Sequence, residues 1–312
     1  MKDKNEAFCQ VSEVGGQAVI EGVMMRSPRC VAVAVRKSNG EIIVKKDPYI
    51  PLAKRYKFLN LPIIRGAVAL GEALFIGMKA LTFSADVFAQ EEEGENQATG
   101  GVSSRDSFKD KKEDIFTTLW LILTVVLGVG LALFLFFYLP LVITDCLKIK
   151  QGFLFNLTSG TIRIGIFLIY IWLITKWKSM RRIFEYHGAE HKSIFAFENG
   201  EDLNVENVRK YSTHHPRCGT SFLLIVMLVA IGVYIFLGKP ENVSERLIRL
   251  LFVPLIAGIS YEIIKLSGKK RESRLVRALI FPGLWLQRLT TKEPDDKQIE
   301  VAIAALKSSL EE

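Results

Sequence analysis

From Ile115 to Ile143 the sequence runs without a charged residue, interrupted only by small side chains and by Pro140. A spanning helix needs about 20 predominantly apolar residues, so this stretch is long enough to cross a bilayer. A soluble domain has little use for such a run. Three further apolar segments follow. The one at 153–177 contains Arg163 and has a purely apolar core only from Ile164 to Thr175, so it spans if Arg163 snorkels toward the far interface. The others lie at 222–237 and at 247–266, the last kinked by Pro254 and carrying Glu262 near one end. With 49% hydrophobic residues across 312, the chain reads as an integral membrane protein with four spans.

Before the first span, residues 1–62 read as a small soluble region. There "CVAVAVRKSNGEIIVKK" sets two β-type runs around Ser38-Asn39-Gly40, which predicts a hairpin over 30–46. The next segment, 63–89, has charges only at Arg65, Glu72, Lys79 and Asp86, spaced by seven, so on a helix they form one narrow polar stripe. Such a helix lies in the membrane interface, packs inside a bundle, or spans. Residues 90–114 are polar, charge-dense and Gly/Ser-bearing, as in a flexible linker. The membrane domain then covers 115–277, and 278–312 holds an interfacial segment, "LVRALIFPGLWLQRL", followed by a soluble helix with an Asp cap and Ile299, Ile303, Leu306 and Leu310 on one face. The expected fold is an α-helical integral membrane protein of about four spanning helices plus an interfacial helix, with a small N-terminal cytoplasmic β-hairpin region.

The formal charge of +8 comes from basic residues beside apolar segments, "KWKSMRR" and "SGKKRESRLVR", without any nucleic-acid motif, so the expected partners are membrane lipids and a membrane or cytoplasmic protein, not nucleic acid. Lys/Arg clusters at 176–182, 192–217 and 265–277 put the loop 178–220 and both termini on the cytoplasmic side of a cell membrane by the positive-inside rule. The start of the chain has no apolar core, so no secretory signal is expected. The four cysteines, Cys9, Cys30, Cys146 and Cys218, form no CxxC pair, as suits a reducing compartment.

All four histidines fall in two strings of that cytoplasmic loop, "FEYHGAEHKSIF" and "STHHPRCGTS". His187, Glu190 and His191 make an H-x-x-E-H pattern; on a helix the two imidazoles share one face about 5–6 Å apart, a spacing for two ligands of one metal. A catalytic zinc takes three protein ligands, and an adjacent carboxylate can act as general base, the place Glu190 would fill. His214, His215 and Cys218 are the third-ligand candidates, Cys218 alternatively a nucleophile beside Arg217. Glu262 is a carboxylate ligand or the ion-pair partner of Lys265. Against these stands the plainer alternative that juxtamembrane histidines only hydrogen-bond at the interface.

The strings "GGQAVIEGVMMRSP", "RGAVALGEAL", "HGAEHK", "HPRCGTSF" and "GISYE" resemble the bacterial YqhQ family, membrane proteins of unassigned role described as predicted metal-dependent enzymes. The resemblance runs from Gly15 to about Arg288 and implies a multi-span membrane protein with a suspected metal site on His187, Glu190, His191, His215 and Cys218. The N-terminal string, with Glu21 and Arg26, is expected to fold back toward that site. The chain lacks the third-ligand arrangements of inverted zinc proteases and of site-2 proteases. Three functions stay open: a membrane metal-dependent hydrolase using a divalent transition metal such as zinc, a scaffold with a structural metal site, and a small transporter cued by Arg163 and Glu262.

Overall fold

A computed structural model describes residues 14–98, 111–216, 218–269 and 274–311; Cys9, Arg217, residues 99–110 of the linker and part of the basic stretch 265–277 lie outside them. The elements are strands β1 (Gly15–Val19), β2 (Gly22–Arg26), β3 (Cys30–Arg36) and β4 (Ile42–Pro48), then α1 (Ile64–Ala98), α2 (Lys111–Leu133), α3 (Leu139–Cys146) and α4 (Gly152–Ile174). They continue with α5 (Lys178–Glu198), α6 (Val205–Arg209), α7 (Gly219–Phe236), α8 (Val243–Leu251), α9 (Val253–Lys269), α10 (Arg274–Thr290) and α11 (Asp296–Leu310).

The expected hairpin is present as β3–β4, its turn closed by Gly40 at φ 90°. It is half of a four-stranded antiparallel meander in the order β1-β2-β3-β4. The added half turns at Ile20-Glu21, with Glu21 at φ 50°. Such a left-handed conformation is uncommon for a residue with a Cβ; here the Glu21 carboxylate is held by a two-pronged ion pair to Arg182, 2.6 Å at Nη2, and by the Tyr186 hydroxyl at 3.3 Å. The N-terminal string thus reaches α5, as expected. β2 and β3 are buried on both faces, which is why "CVAVAV" shows no polar alternation. On one face Val23, Met25 and Ala34 join Ala189 and Ile194 of α5 and Ile299, Ala302 and Leu306 of α11. On the other face Met24, Val33 and Val35 meet Ala80 and Val87 of α1.

The sevenfold charges of α1 explain how it packs. Arg65 forms a two-pronged ion pair with Glu262 of α9, Glu72 accepts the Leu52 N–H at 2.8 Å, and Lys79 meets Asp47 of β4 at 2.9 Å. Three of the four stripe charges thus find protein partners, while Asp86, Leu74, Phe75, Met78 and Phe88 stay exposed. This arrangement is inverted relative to a soluble amphipathic helix and suits a helix with lipid around it. α1 also continues to Ala98, into the stretch read as a linker, where "QEEE" is rich in good helix formers.

Among the described residues, four helical segments are long and apolar enough to cross a membrane: Ile64–Ala89, Leu123–Cys146, α4 and α7; α8 with α9, broken at Phe252, makes a fifth if the two act as one span. The chain is thus mostly helical, with several long apolar helices compatible with a multi-pass membrane protein. The segment left open between interface and span, 63–89, is among the four, and the expected span 247–266 is a bent pair broken just ahead of Pro254, which removes a helix donor there. Within Leu123–Cys146 the helix widens to a π turn over Phe134–Tyr138 before Pro140, the local adjustment that a missing N–H and a ring at that position call for.

The chain divides into two units, one of residues up to 92 with 171–229 and 252–312, the other of 93–170 with 230–251. In the second, Gly160 of α4 admits Ile231 of α7 so closely that a Cβ would lie 2.1 Å from its Cγ1, and Asp145 pairs with Arg246 and, at 3.3 Å, with Lys239. In the first, Gly66 of α1 lies against α9, where a Cβ would come within 2.6 Å of the Tyr261 Cβ and 2.8 Å of the Gly258 Cα. Gly66→Ala is expected to push α1 off α9 and lower stability by about 1–3 kcal/mol, read as a fall in the thermal midpoint of the detergent-solubilised protein.

Candidate metal centre

α5 begins after Trp177 and ends in a glycine-closed motif: Gly200, at φ 70°, donates to the Phe197 carbonyl and Glu201 to that of Ala196. One side of the helix, with Tyr186, Ala189, Ile194 and Ala196, enters the core shared with the sheet and α11. Gly188 would be unfavourable inside an isolated helix, but here the chain after α10 passes so close that a Cβ would lie 2.0 Å from the Lys292 carbonyl oxygen. The Lys292 N–H donates to the Phe184 carbonyl, locking that passing strand of chain along α5.

The last residue of α10, just before that passing chain, supplies an orienting group. His187 Nδ1 donates to the Thr290 carbonyl at 2.8 Å, and His191 Nδ1 donates to the Thr213 carbonyl at 2.5 Å. A carbonyl can only accept, so Nδ1 carries a proton in both rings and Nε2 is the atom left to bind a metal. That second-layer bond is the usual companion of a metal-ligating histidine. The His187 and His191 ring centres are 4.4 Å apart. Cys218, just before α7, brings its Sγ to 3.2 Å from His187 Nε2 and accepts from the Thr220 N–H at 3.4 Å. The ligand atoms of His187, His191 and Cys218 lie within 4.8 Å of one another.

Two buried polar atoms beside this cluster, His191 Nε2 and Glu190 Oε2, make no hydrogen bond of ordinary geometry among the described residues. Unpaired buried polar groups are rare and call for an explanation, and a cation among soft N/S donors is one that fits both. Gly16 of β1 fixes Glu190 from the other side: its N–H bonds the carboxylate, and a Cβ there would lie 2.9 Å from Glu190 Oε1. Burial pushes the Glu190 carboxyl up to about 7, partly opposed by His187. Burial alone would lower His187, yet the facing Cys218 sulfur and Glu190 hold it up at about 9. The same pairing keeps the Cys218 thiol well below its ordinary value although burial raises it. His191 is pushed down by burial and by His187.

The remaining candidates stand apart. His215 is buried one layer out, its ring centre 5.7 Å from that of His191 and 4.4 Å from that of Phe195, with Nε2 facing Glu198 at 3.4 Å. Its main chain is clamped by Gln287, which accepts the His215 N–H at 2.7 Å and donates to its carbonyl at 2.8 Å and to Ser221 Oγ at 3.0 Å. His214 is half-buried and turned to the Ser212 and Thr213 hydroxyls, and burial, with Arg288 second, lowers its pKa. Glu262 is engaged with Arg65. Sequence reasoning missed Gly16, Thr213, Gln287 and Thr290. The two threonines act through main-chain carbonyls, which any residue supplies, so no side-chain signal marks them.

Two outcomes are expected. Gly188→Ala is expected to displace Lys292 and with it the Thr290 carbonyl that orients His187, so that if the cluster takes a divalent metal its affinity falls about 10- to 100-fold in a chelator competition titration. Metal-free protein near neutral pH shows a thiolate absorbance band, because the folded-state thiol pKa lies below the ordinary value; the band disappears in Cys218→Ser and shrinks in His187→Ala.

Residues 61–312 match the DUF1385 family, whose description is protein of unknown function. The chain is also 34% identical over 303 residues to the uncharacterized protein YqhQ of Bacillus subtilis (strain 168), covering 95% of this chain and 92% of that relative. No solved structure matches. Neither description assigns an activity, so the metal-dependent character implied by resemblance draws no support from them. With four-fifths of its length matched, the chain belongs to the DUF1385 family, and Bacillus subtilis YqhQ is a relative aligned with it nearly end to end.

Proposed function

We propose that this protein is a metal-dependent enzyme of the cytoplasmic membrane, a zinc-type hydrolase working at the cytoplasmic face, with His187, His191 and Cys218 as ligands and Glu190 as general base. The observation that carries this reading is a cluster of three donors among the described residues, not four, with the free Oε2 of the buried Glu190 carboxylate beside it. Structural zinc sites are closed by four protein ligands, whereas catalytic sites keep one position for water or substrate. When bound, a zinc-type ion supplies Lewis acidity, lowering the pKa of water and polarising a carbonyl or phosphoryl oxygen.

The chain's own residues do the rest. The Thr290 and Thr213 carbonyls orient the two imidazoles, and the Thr220 N–H holds the sulfur of Cys218. Glu190, anchored by the Gly16 N–H and raised to about 7, can take a proton near neutral pH and return it to a leaving group. The Lys/Arg flanks at 176–182 and 192–217 support a cytoplasmic position for the site. Membrane lipids are its first surroundings, and the exposed apolar face of α1 supports that placement.

Purification without chelators and elemental analysis should give about one zinc-type ion per chain in the parent and none in His187→Ala/His191→Ala. Glu190→Gln should keep the ion and lose about 10²–10⁴-fold in hydrolysis across a panel of ester, phosphoester and peptide substrates. A parent that takes up no metal on reconstitution contradicts the reading, and so does a Glu190→Gln variant as active as the parent.

A further inference from the structure

A second buried polar cluster lies in the unit of 93–170 and 230–251, and it owes nothing to the metal site. Arg163 stands eleven residues from either end of α4 (163 − 152 = 174 − 163 = 11), about 16 Å from each along the axis. The sequence reading expected it to snorkel to an interface. Instead it is 8% exposed, and among the described residues no carboxylate, carbonyl or hydroxyl accepts from its guanidinium, whose Nε is fully enclosed. It rests between the rings of Phe137 and Tyr234, 5.9 and 5.5 Å from their centres. Cation–π contacts offset only part of the desolvation of a guanidinium at that depth.

Ser159, one turn earlier on the same face, is 2% exposed, and its Oγ also has no partner. Helical hydroxyls ordinarily return their proton to the carbonyl four residues back, as Thr144, Thr161 and Ser260 do here, so a Ser159 hydroxyl left free is a donor waiting for an acceptor. Arg249, 3% exposed, shares the Tyr234 ring at 5.0 Å and adds positive field, its own donors engaged by Asn156 Oδ1 and the Gly238 carbonyl. Among the carboxylates of this unit, Asp145 is taken by Lys239 and Arg246, and Glu245, near Arg249, accepts from the Glu241 N–H at 2.7 Å and from Asn242 at 2.9 Å.

We infer that Arg163 and Ser159 form an intramembrane binding site for a small anion, a halide or a short carboxylate. Unpartnered donors of this kind, surrounded by surplus positive charge, select an acceptor that brings negative charge. Among the described residues no acidic side chain is paired with Arg163, and its distance from both helix ends puts it out of reach of lipid headgroups.

The test is thermal unfolding of the full chain in detergent and a bulky sulfonate buffer, titrated with chloride or sodium acetate at constant ionic strength. The parent should show a saturable rise in its midpoint with one or both anions. Arg163→Met should lose the response and be more stable than the parent in sulfonate alone, since a buried unpaired charge is gone. Ser159→Ala should keep the response with an apparent affinity about tenfold weaker. A flat parent midpoint with both anions overturns the site, as does an unchanged response in Arg163→Met. Should Arg163→Met not fold, Ser159→Ala decides: parent-like affinity in that variant overturns the site.

Discussion

Two hydrogen bonds from imidazole Nδ1 atoms to main-chain carbonyls, His187 to Thr290 and His191 to Thr213, set the orientation on which the candidate centre depends. Both acceptors come from chain distant in sequence, and much of the surrounding structure serves to hold them. Gly188 lets the segment after α10 press onto α5, and the Lys292 N–H ties it there. Gln287 clamps the loop that carries Thr213 and His215 through both main-chain groups of His215 and then reaches Ser221 at the start of α7. Beneath α5, α11 and the sheet form the core that makes the helix a rigid platform, with Gly16 of β1 bringing a donor to Glu190. Rigid elements place ligands more reproducibly than loops do.

The same frugality with charge governs the apolar helices. α1 turns Arg65, Glu72 and Lys79 toward protein partners and leaves its apolar side bare, so these three of its charges are paired or hydrogen-bonded where lipid would penalise them. Glu262 belongs to this pattern, which accounts for an acidic residue in an apolar segment without a metal. Arg163 departs from it, buried and without an acceptor among the described residues, and such a departure is where a ligand is best sought.

Apolar length and local periodicity were readable from residues alone: the run 115–143, the hairpin around Ser38-Asn39-Gly40, the stripe at 65, 72, 79 and 86, and the spacing of His187 and His191. The β1–β2 turn was not, because Ile20-Glu21 lacks the glycine or asparagine that marks a two-residue hairpin, and the left-handed Glu21 is held by tertiary bonds to Arg182 and Tyr186. Pairing one side of the sheet with α11 needs contacts between the two ends of the chain, which no local pattern encodes. At the centre, three residues of "HHPRC" offered ligand chemistry at nearly equal sequence distance. What separates Cys218 from His214 and His215 is the Gln287 clamp and the turn into α7, both products of packing.

The most direct measurement is X-ray absorption at the zinc edge on the zinc-loaded protein. A site made by His187, His191 and Cys218 predicts one sulfur at about 2.3 Å and two imidazole nitrogens at about 2.0–2.1 Å, with one light-atom position besides. A spectrum without the sulfur shell, or with four protein ligands filling the sphere, would contradict the open three-ligand centre on which the account rests.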